Sequence, residues 1–120
     1  MTSSIRPVIV TRDLDRLRAF YTALLGAEEV MRFPQDGPPF YVGLRTGEAE
    51  LGLAANSAVS LDATGRVLLD LTVADVDVLL PRVEELGGRV QGPPNDMPWG
   101  QRVAHVTDPD GNPINLTQDL

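Results

Sequence analysis

The sequence predicts an α+β fold: two βαβββ repeats forming a curved mixed sheet, with a concave ligand-binding face and the helices on the outer face. Three observations predict it. The chain resembles itself at a spacing of 62 residues, which brings "IVTRDLDRLRAFYTALLGAEEV" and "DLTVADVDVLLPRVEELGGRV" into register from Asp13 and Asp75 onward. Asp13 then meets Asp75, Asp15 meets Asp77, Leu17 meets Leu79, Leu24 meets Leu86 and Gly26 meets Gly88. Each copy also keeps one order: apolar strand, aspartate, amphipathic helix, glycine, apolar strand. Finally, a unit of about 60 residues is marginal alone, so two of them must share a core. The 120 residues are thus expected to form one domain, with repeat one at about 5–55 and repeat two at about 66–118.

Each element has a local cause. Residues 5–11 and 67–73 are short β-branched or leucine-rich runs, as buried strands are. Asp13, and either Asp75 or Asp77, can cap the helix that follows by accepting its unpaired N–H groups. On the first helix Leu14, Leu17, Phe20, Tyr21, Leu24 and Leu25 recur at three- and four-residue steps, which places them on one apolar stripe. That spacing assigns Phe20 and Tyr21 to the core. Gly26 supplies the left-handed residue that stops the helix. The second helix repeats the stripe with Val76, Leu79, Leu80, Val83 and Leu86, ends at Gly87-Gly88, and is expected to hold Pro81 near its first turn. Strand-like segments follow at 28–33, 39–45 and 49–55 in the first copy, and at 89–92, 101–107 and 113–118 in the second.

Composition narrows the function. A formal charge of −7 with no Lys/Arg-rich run argues against nucleic acid and anionic membrane surfaces and mildly favours a cationic ligand. The absence of cysteine removes disulfides, thiolate nucleophiles and zinc-thiolate sites. No run approaches a membrane span, and "MTSSIRPVIVTRD" lacks a signal-peptide pattern, so a cytoplasmic location is expected. There is no G-x-S-x-G elbow, and "GPPNDMPWG" leads into no helix as a phosphate loop would. In "DPDG" Asp108 accepts a turn hydrogen bond, Pro109 presets the backbone and Gly111 relieves the exit, which makes a hairpin between "QRVAHVT" and "PINLT". His105, the only histidine, shares a strand face with Val103 and Thr107 and is expected to be a hydrogen-bonded strand residue.

A small molecule is the expected partner. Phe33, Phe40, Tyr41, Met97 and Trp99 lie in segments bordering the hollow face, and "FPQDGPPFY" and "GPPNDMPWG" are stiff, irregular loops of the kind that carry recognition. Trp99 offers a flat surface for stacking and a spare N–H. Arg102 either holds the 94–100 loop or meets a ligand carboxylate. Asp36 and Asp96 are either solvated or face a cation.

The motifs "VTRDLDRLRAFYTALLGAE" and "PWGQRVAHVTDPDGNPINL", in this order and at this separation, resemble the vicinal oxygen chelate superfamily of glyoxalases, extradiol dioxygenases and bleomycin-resistance proteins. The resemblance runs from Ile5 to Gln118. It implies a divalent metal held by His, Glu or Gln on the first and last strands of each repeat. Those positions fall here on Arg6 or Pro7, on Glu50 or Gly52, on Leu68 or Leu69, and on Asn115. One carboxylate and one amide fall short of the three ligands a divalent ion needs. The expectation is therefore no metal, no other cofactor and no catalytic residue. The resemblance is nearest to bleomycin-resistance proteins, which implies a homodimer that binds a planar or cationic molecule, including an antibiotic, with Phe33, Phe40, Tyr41, Glu50, Leu68, Met97, Trp99, Arg102 and Asn115 as the binding residues. Two other readings stay open: a metal-dependent lyase, isomerase or dioxygenase using Glu50, Asn115, Gln118 or His105, and a dimeric accessory module that recognises a protein partner.

Overall fold

A computed structural model describes residues 5–58, 60 and 67–120. The boundary of the second repeat expected at residue 66 lies outside these. The fold is α+β, and the chain divides into two compact units, Met1–Val59 and Ser60–Leu120.

The first unit runs β1 (Val8–Thr11), α1 (Leu14–Leu25), β2 (Glu28–Phe33), β3 (Tyr41–Thr46) and β4 (Ala49–Ala55). Its sheet has the order β1-β4-β3-β2, with β1 parallel to β4 and the other pairs antiparallel. Asp13 caps α1 by accepting the Arg16 N–H, and Gly26, at φ 63°, ends it. The predicted stripe is the buried face: Leu14, Leu17, Phe20, Tyr21 and Leu24 are buried together with Val42, Leu44 and Leu53 of the sheet. The Phe20 and Tyr21 rings meet edge to face at 5.1 Å. Strand alternation then turns Val8, Val10, Met31, Phe33, Tyr41, Gly43, Glu50 and Gly52 to the face away from α1.

The second unit runs β5 (Leu69–Thr72), α2 (Val76–Glu85), β6 (Arg89–Val90), β7 (Asn95–Asp96), β8 (Gln101–Thr107) and β9 (Pro113–Asp119). Its sheet has the order β5-β9-β8-β6, with β7 also paired to β8. Asp75, and not Asp77, caps α2, accepting the Val78 N–H. The Gln118 side chain accepts a second free N–H, that of Val76. Ala104, Val106, Ile114, Leu116, Val76 and Val83 are buried, while Asp70, Asn115 and His105 take the opposite face.

Several expectations change in detail. The strands form two hydrogen-bonded sheets, one in each unit, where the sequence reading joined them in a single curved one. Pro81 is the sixth residue of α2, not a first-turn residue. Its ring removes the N–H that would bond the Asp77 carbonyl. The left-handed residue after α2 is Gly87, at φ 95°, and not Gly88, the repeat partner of Gly26. The proline loop 91–100 contains a short strand, β7, that its composition conceals.

Candidate functional site

On the face of the first sheet away from α1, two glycines sit directly opposite each other, Gly43 on β3 and Gly52 on β4. Without side chains they leave a slot, and neighbouring side chains lie across it. The Tyr41 phenol packs against Gly52, where a Cβ would overlap its oxygen, and Val8 closes in from β1. The Glu50 carboxylate lies over Gly43, 3.0 Å from where a Cβ would stand. Arg6, just before β1, bonds Glu50 through Nε at 3.0 Å. Its guanidinium is held even more firmly protonated than usual, first by the Tyr41 oxygen and then by the Glu50 charge. Among the described residues the buried Tyr41 hydroxyl, beside the Arg6 guanidinium, has no hydrogen-bond partner.

Phe33 and Phe40 form an exposed edge-to-face pair, with centroids 5.3 Å apart. The Phe40 N–H donates to the Phe33 carbonyl, and a cis Phe33-Pro34 bond turns the chain between them. An open hollow of about 520 Å³ follows the outer edge of β2, lined by Glu29, Val30, Met31, Arg32, Phe33 and Gln35. Phe33, Tyr41 and Glu50 therefore share one face, with Phe40 stacked at its margin.

The second unit repeats this geometry with different chemistry. In the first, Val8, Gly52 and Gly43 stand abreast on β1, β4 and β3. In the second, Asp70, Asn115 and His105 stand abreast on β5, β9 and β8. A slot in one unit is a row of polar side chains in the other. His105 Nδ1 lies 2.7 Å from Asn115 Oδ1, and the Thr117 hydroxyl donates to Asp70 Oδ1 at 2.7 Å. Leu68 is exposed before β5, on the Asp70 side by alternation. Asp70 was missed because the strand "LLDLTV" reads as an apolar run. Its register with Asn115, which shows only in the paired strands, is what reveals it.

The remaining predicted residues separate. Trp99 is exposed and donates its indole N–H to Gln101 Oε1 at 2.9 Å; Gln101 in turn donates to Asp119. Met97 is half-buried, in the turn closed by the Gly100 N–H to its carbonyl. Arg102 lies on the α2 side of the sheet, opposite His105 and Asn115, so it is not brought together with them. There it grips Asp96 with Nε at 2.7 Å and Nη2 at 3.2 Å, and Asp77 of α2 with Nη1 at 2.7 Å. These carboxylates push its proton affinity further up, Asp96 first, and the Arg102 hydrogen bond lowers the Asp96 pKa. Of the two roles expected for Arg102, the structure displays the brace on the loop. Gln118 also faces α2, through its bond to Val76. The DPDG turn is built as predicted: Asp108 accepts the N–H groups of Asp110 and Asn112, and Gly111 has φ 84°.

A family model for the Glyoxalase/Bleomycin resistance protein/Dioxygenase superfamily matches residues 5–116. The chain belongs to this superfamily. Among solved structures, a glyoxalase/bleomycin resistance protein/dioxygenase family enzyme from Burkholderia phytofirmans PsJN is 26% identical, with a TM-score of 0.79 over 96% of this chain and 97% of that one. The bleomycin resistance determinant encoded on transposon Tn5 is 24% identical, with a TM-score of 0.68 and 98% of each chain covered. The fosfomycin resistance protein FosX from Mesorhizobium loti is 18% identical, with a TM-score of 0.74 over 99% and 92%. At these identities the last two share the superfamily fold and nothing finer. No curated protein sequence matches the chain. Among the described residues, no helix is long and apolar enough to cross a membrane.

The superfamily implies a divalent metal, and the donors present do not fit one. Glu50 is already neutralised by the Arg6 guanidinium, Leu68 offers a hydrocarbon, and Asn115 offers only a neutral amide, 2.7 Å from His105 Nδ1. Among the described residues no three His, Asp or Glu side chains converge as a metal cage would require.

Proposed function

We propose that this chain is a metal-independent small-molecule-binding protein of the glyoxalase/bleomycin-resistance type, which sequesters an antibiotic or another planar or cationic metabolite. The observation that carries this reading is the Arg6–Glu50 pair. The one carboxylate at the positions where the resemblance places metal ligands is held by a fixed organic cation, which would repel an inorganic one. In the first unit Phe33, Phe40, Tyr41 and Glu50 are the proposed binding residues; in the second they are Leu68, Met97, Trp99 and Asn115, with Arg102 positioning the 94–100 loop. The protein is further proposed to act in the cytoplasm as a homodimer. Support for the dimer comes from Val8, Val10, Met31 and Phe33, exposed apolar side chains on one face that a second copy would cover.

Isothermal titration against glycopeptide and other planar antibiotics, with and without EDTA, tests the reading. Saturable heat that EDTA leaves unchanged is expected, and no response to any of them would count against it. The kinship with a protein described as a family enzyme keeps one competing reading, a divalent-metal lyase, isomerase or dioxygenase. Activity that appears only on adding metal would favour it.

A further inference from the structure

We infer that Gln101 and Asp119 are positioning residues that hold the Trp99 ring in one orientation, so that it meets a ligand through its π face alone and favours a planar cation. This rests on the proposed function, in which Trp99 is a binding residue, and deepens it at the second unit. Trp99 is 68% exposed, so burial does not hold the ring. Two linked hydrogen bonds do. The indole N–H donates to Gln101 Oε1 at 2.9 Å, and Gln101 Nε2 donates to Asp119 Oδ1 at 2.9 Å. The polarity of this link is forced: an indole N–H only donates and a carboxylate only accepts, so the residue between them must do both, as a primary amide does. Gln101 and Asp119 are direct partners across β8 and β9, which sets their side chains next to each other on one face of the sheet.

The backbone that carries the ring is tied down as well. The Gly100 N–H donates to the Met97 carbonyl at 3.0 Å, the Met97 N–H to the Gln101 carbonyl at 2.7 Å, and the Leu120 N–H to the Gly100 carbonyl at 2.9 Å. Arg102, the neighbour of Gln101, grips Asp96 from the opposite face. Alternation places Gln101 with Val103 and His105, and Asp119 with Thr117 and Asn115, on the face away from α2. The indole edge is therefore anchored on the Asn115 face. The N–H that the sequence leaves spare is engaged within the protein, so a ligand meets the ring's π surface and no donor. That surface carries negative potential and attracts cations, in keeping with the formal charge of −7.

Because the chain has one tryptophan, its fluorescence reports on this position alone. The test uses the whole protein, with N-methylquinolinium as a planar cation and naphthoate as a planar anion of similar outline. Time-resolved anisotropy of the free protein is expected to lack the subnanosecond decay of a loose ring. N-methylquinolinium is expected to quench Trp99 and to bind more tightly than naphthoate. Gln101→Leu is expected to release the ring and weaken N-methylquinolinium binding about fivefold, the cost of ordering one side chain anew. Gln101→Glu alone sets two carboxylates side by side and loosens the ring. The double variant Gln101→Glu/Asp119→Asn keeps the formal charge and reverses the polarity of the link, the carboxylate accepting from both indole and amide, and is expected to restore both readouts. A loose ring in the unaltered protein, unchanged affinity in Gln101→Leu, no rescue by the double variant, or tighter binding of naphthoate would overturn the inference and leave the proposed function standing. Quenching by neither probe would remove both.

Discussion

Single residues decide what each sheet face can do. The glycine pair is the clearest case, because Gly43 and Gly52 face the same slot but meet different neighbours. A Cβ at Gly52 runs into the Tyr41 phenol, whose oxygen is buried, and lies 3.0 Å from Val8 Cγ2. At Gly43 its nearest contact is the end of the Glu50 side chain, which can move. Gly52→Ala is therefore expected to destabilise the protein by about 1–3 kcal/mol and Gly43→Ala by distinctly less, measured by urea unfolding. Charge acts on the same scale at Arg102. The Asp96 carboxyl is more acidic in the folded protein because Arg102 bonds its ionised form. A depressed carboxyl adds stability above its unfolded pKa and loses it as pH falls through the lower folded value. Melting temperatures should thus drop below about pH 4, and Asp96→Asn should flatten that part of the curve. The brace is exposed, so the effect is small.

At the scale of elements, the helices were legible because their signals are local. The Asp13 and Asp75 caps, the three-and-four spacing of α1 and the DPDG turn all depend on residues within one or two turns of each other. Asp13→Ala and Asp75→Ala should each cost about 1 kcal/mol in chemical unfolding. What the sequence hid was non-local. The β7 strand is two residues long and exists only by pairing with β8. Asp70 reads as an interruption of an apolar strand until β9 is laid beside it. Alternation puts Arg102 on the face of the apolar Ala104 and Val106, and only Asp77 on α2 and Asp96 on β7 show that its charge is paired there. Pro81 is the exception among local signals. It sits inside α2, where it removes a hydrogen bond and crowds the turn before it. Pro81→Ala is expected to raise the stability of the protein by about 1–3 kcal/mol, provided no ligand contact depends on the altered turn.

For the molecule as a whole, sequence repetition and chemical divergence belong together. The two units keep the same strand order and the same capped helix, yet their corresponding rows differ. One is a glycine slot beneath a tyrosine and an Arg6–Glu50 pair, and the other carries carboxylate, amide and imidazole. The proposed reading is that the superfamily fold is retained here with other side chains at the positions where the resemblance places metal ligands. The exposed apolar residues of the first unit predict that light scattering finds two chains per particle, and that Val8→Lys or Phe33→Lys shifts the population toward monomer. The central claim concerns the metal, and elemental analysis of the protein, purified without chelators and then offered excess zinc, manganese, nickel and iron before desalting, addresses it most directly. The account predicts no metal retained in proportion to protein; one ion per chain, lost on Glu50→Gln, would contradict it.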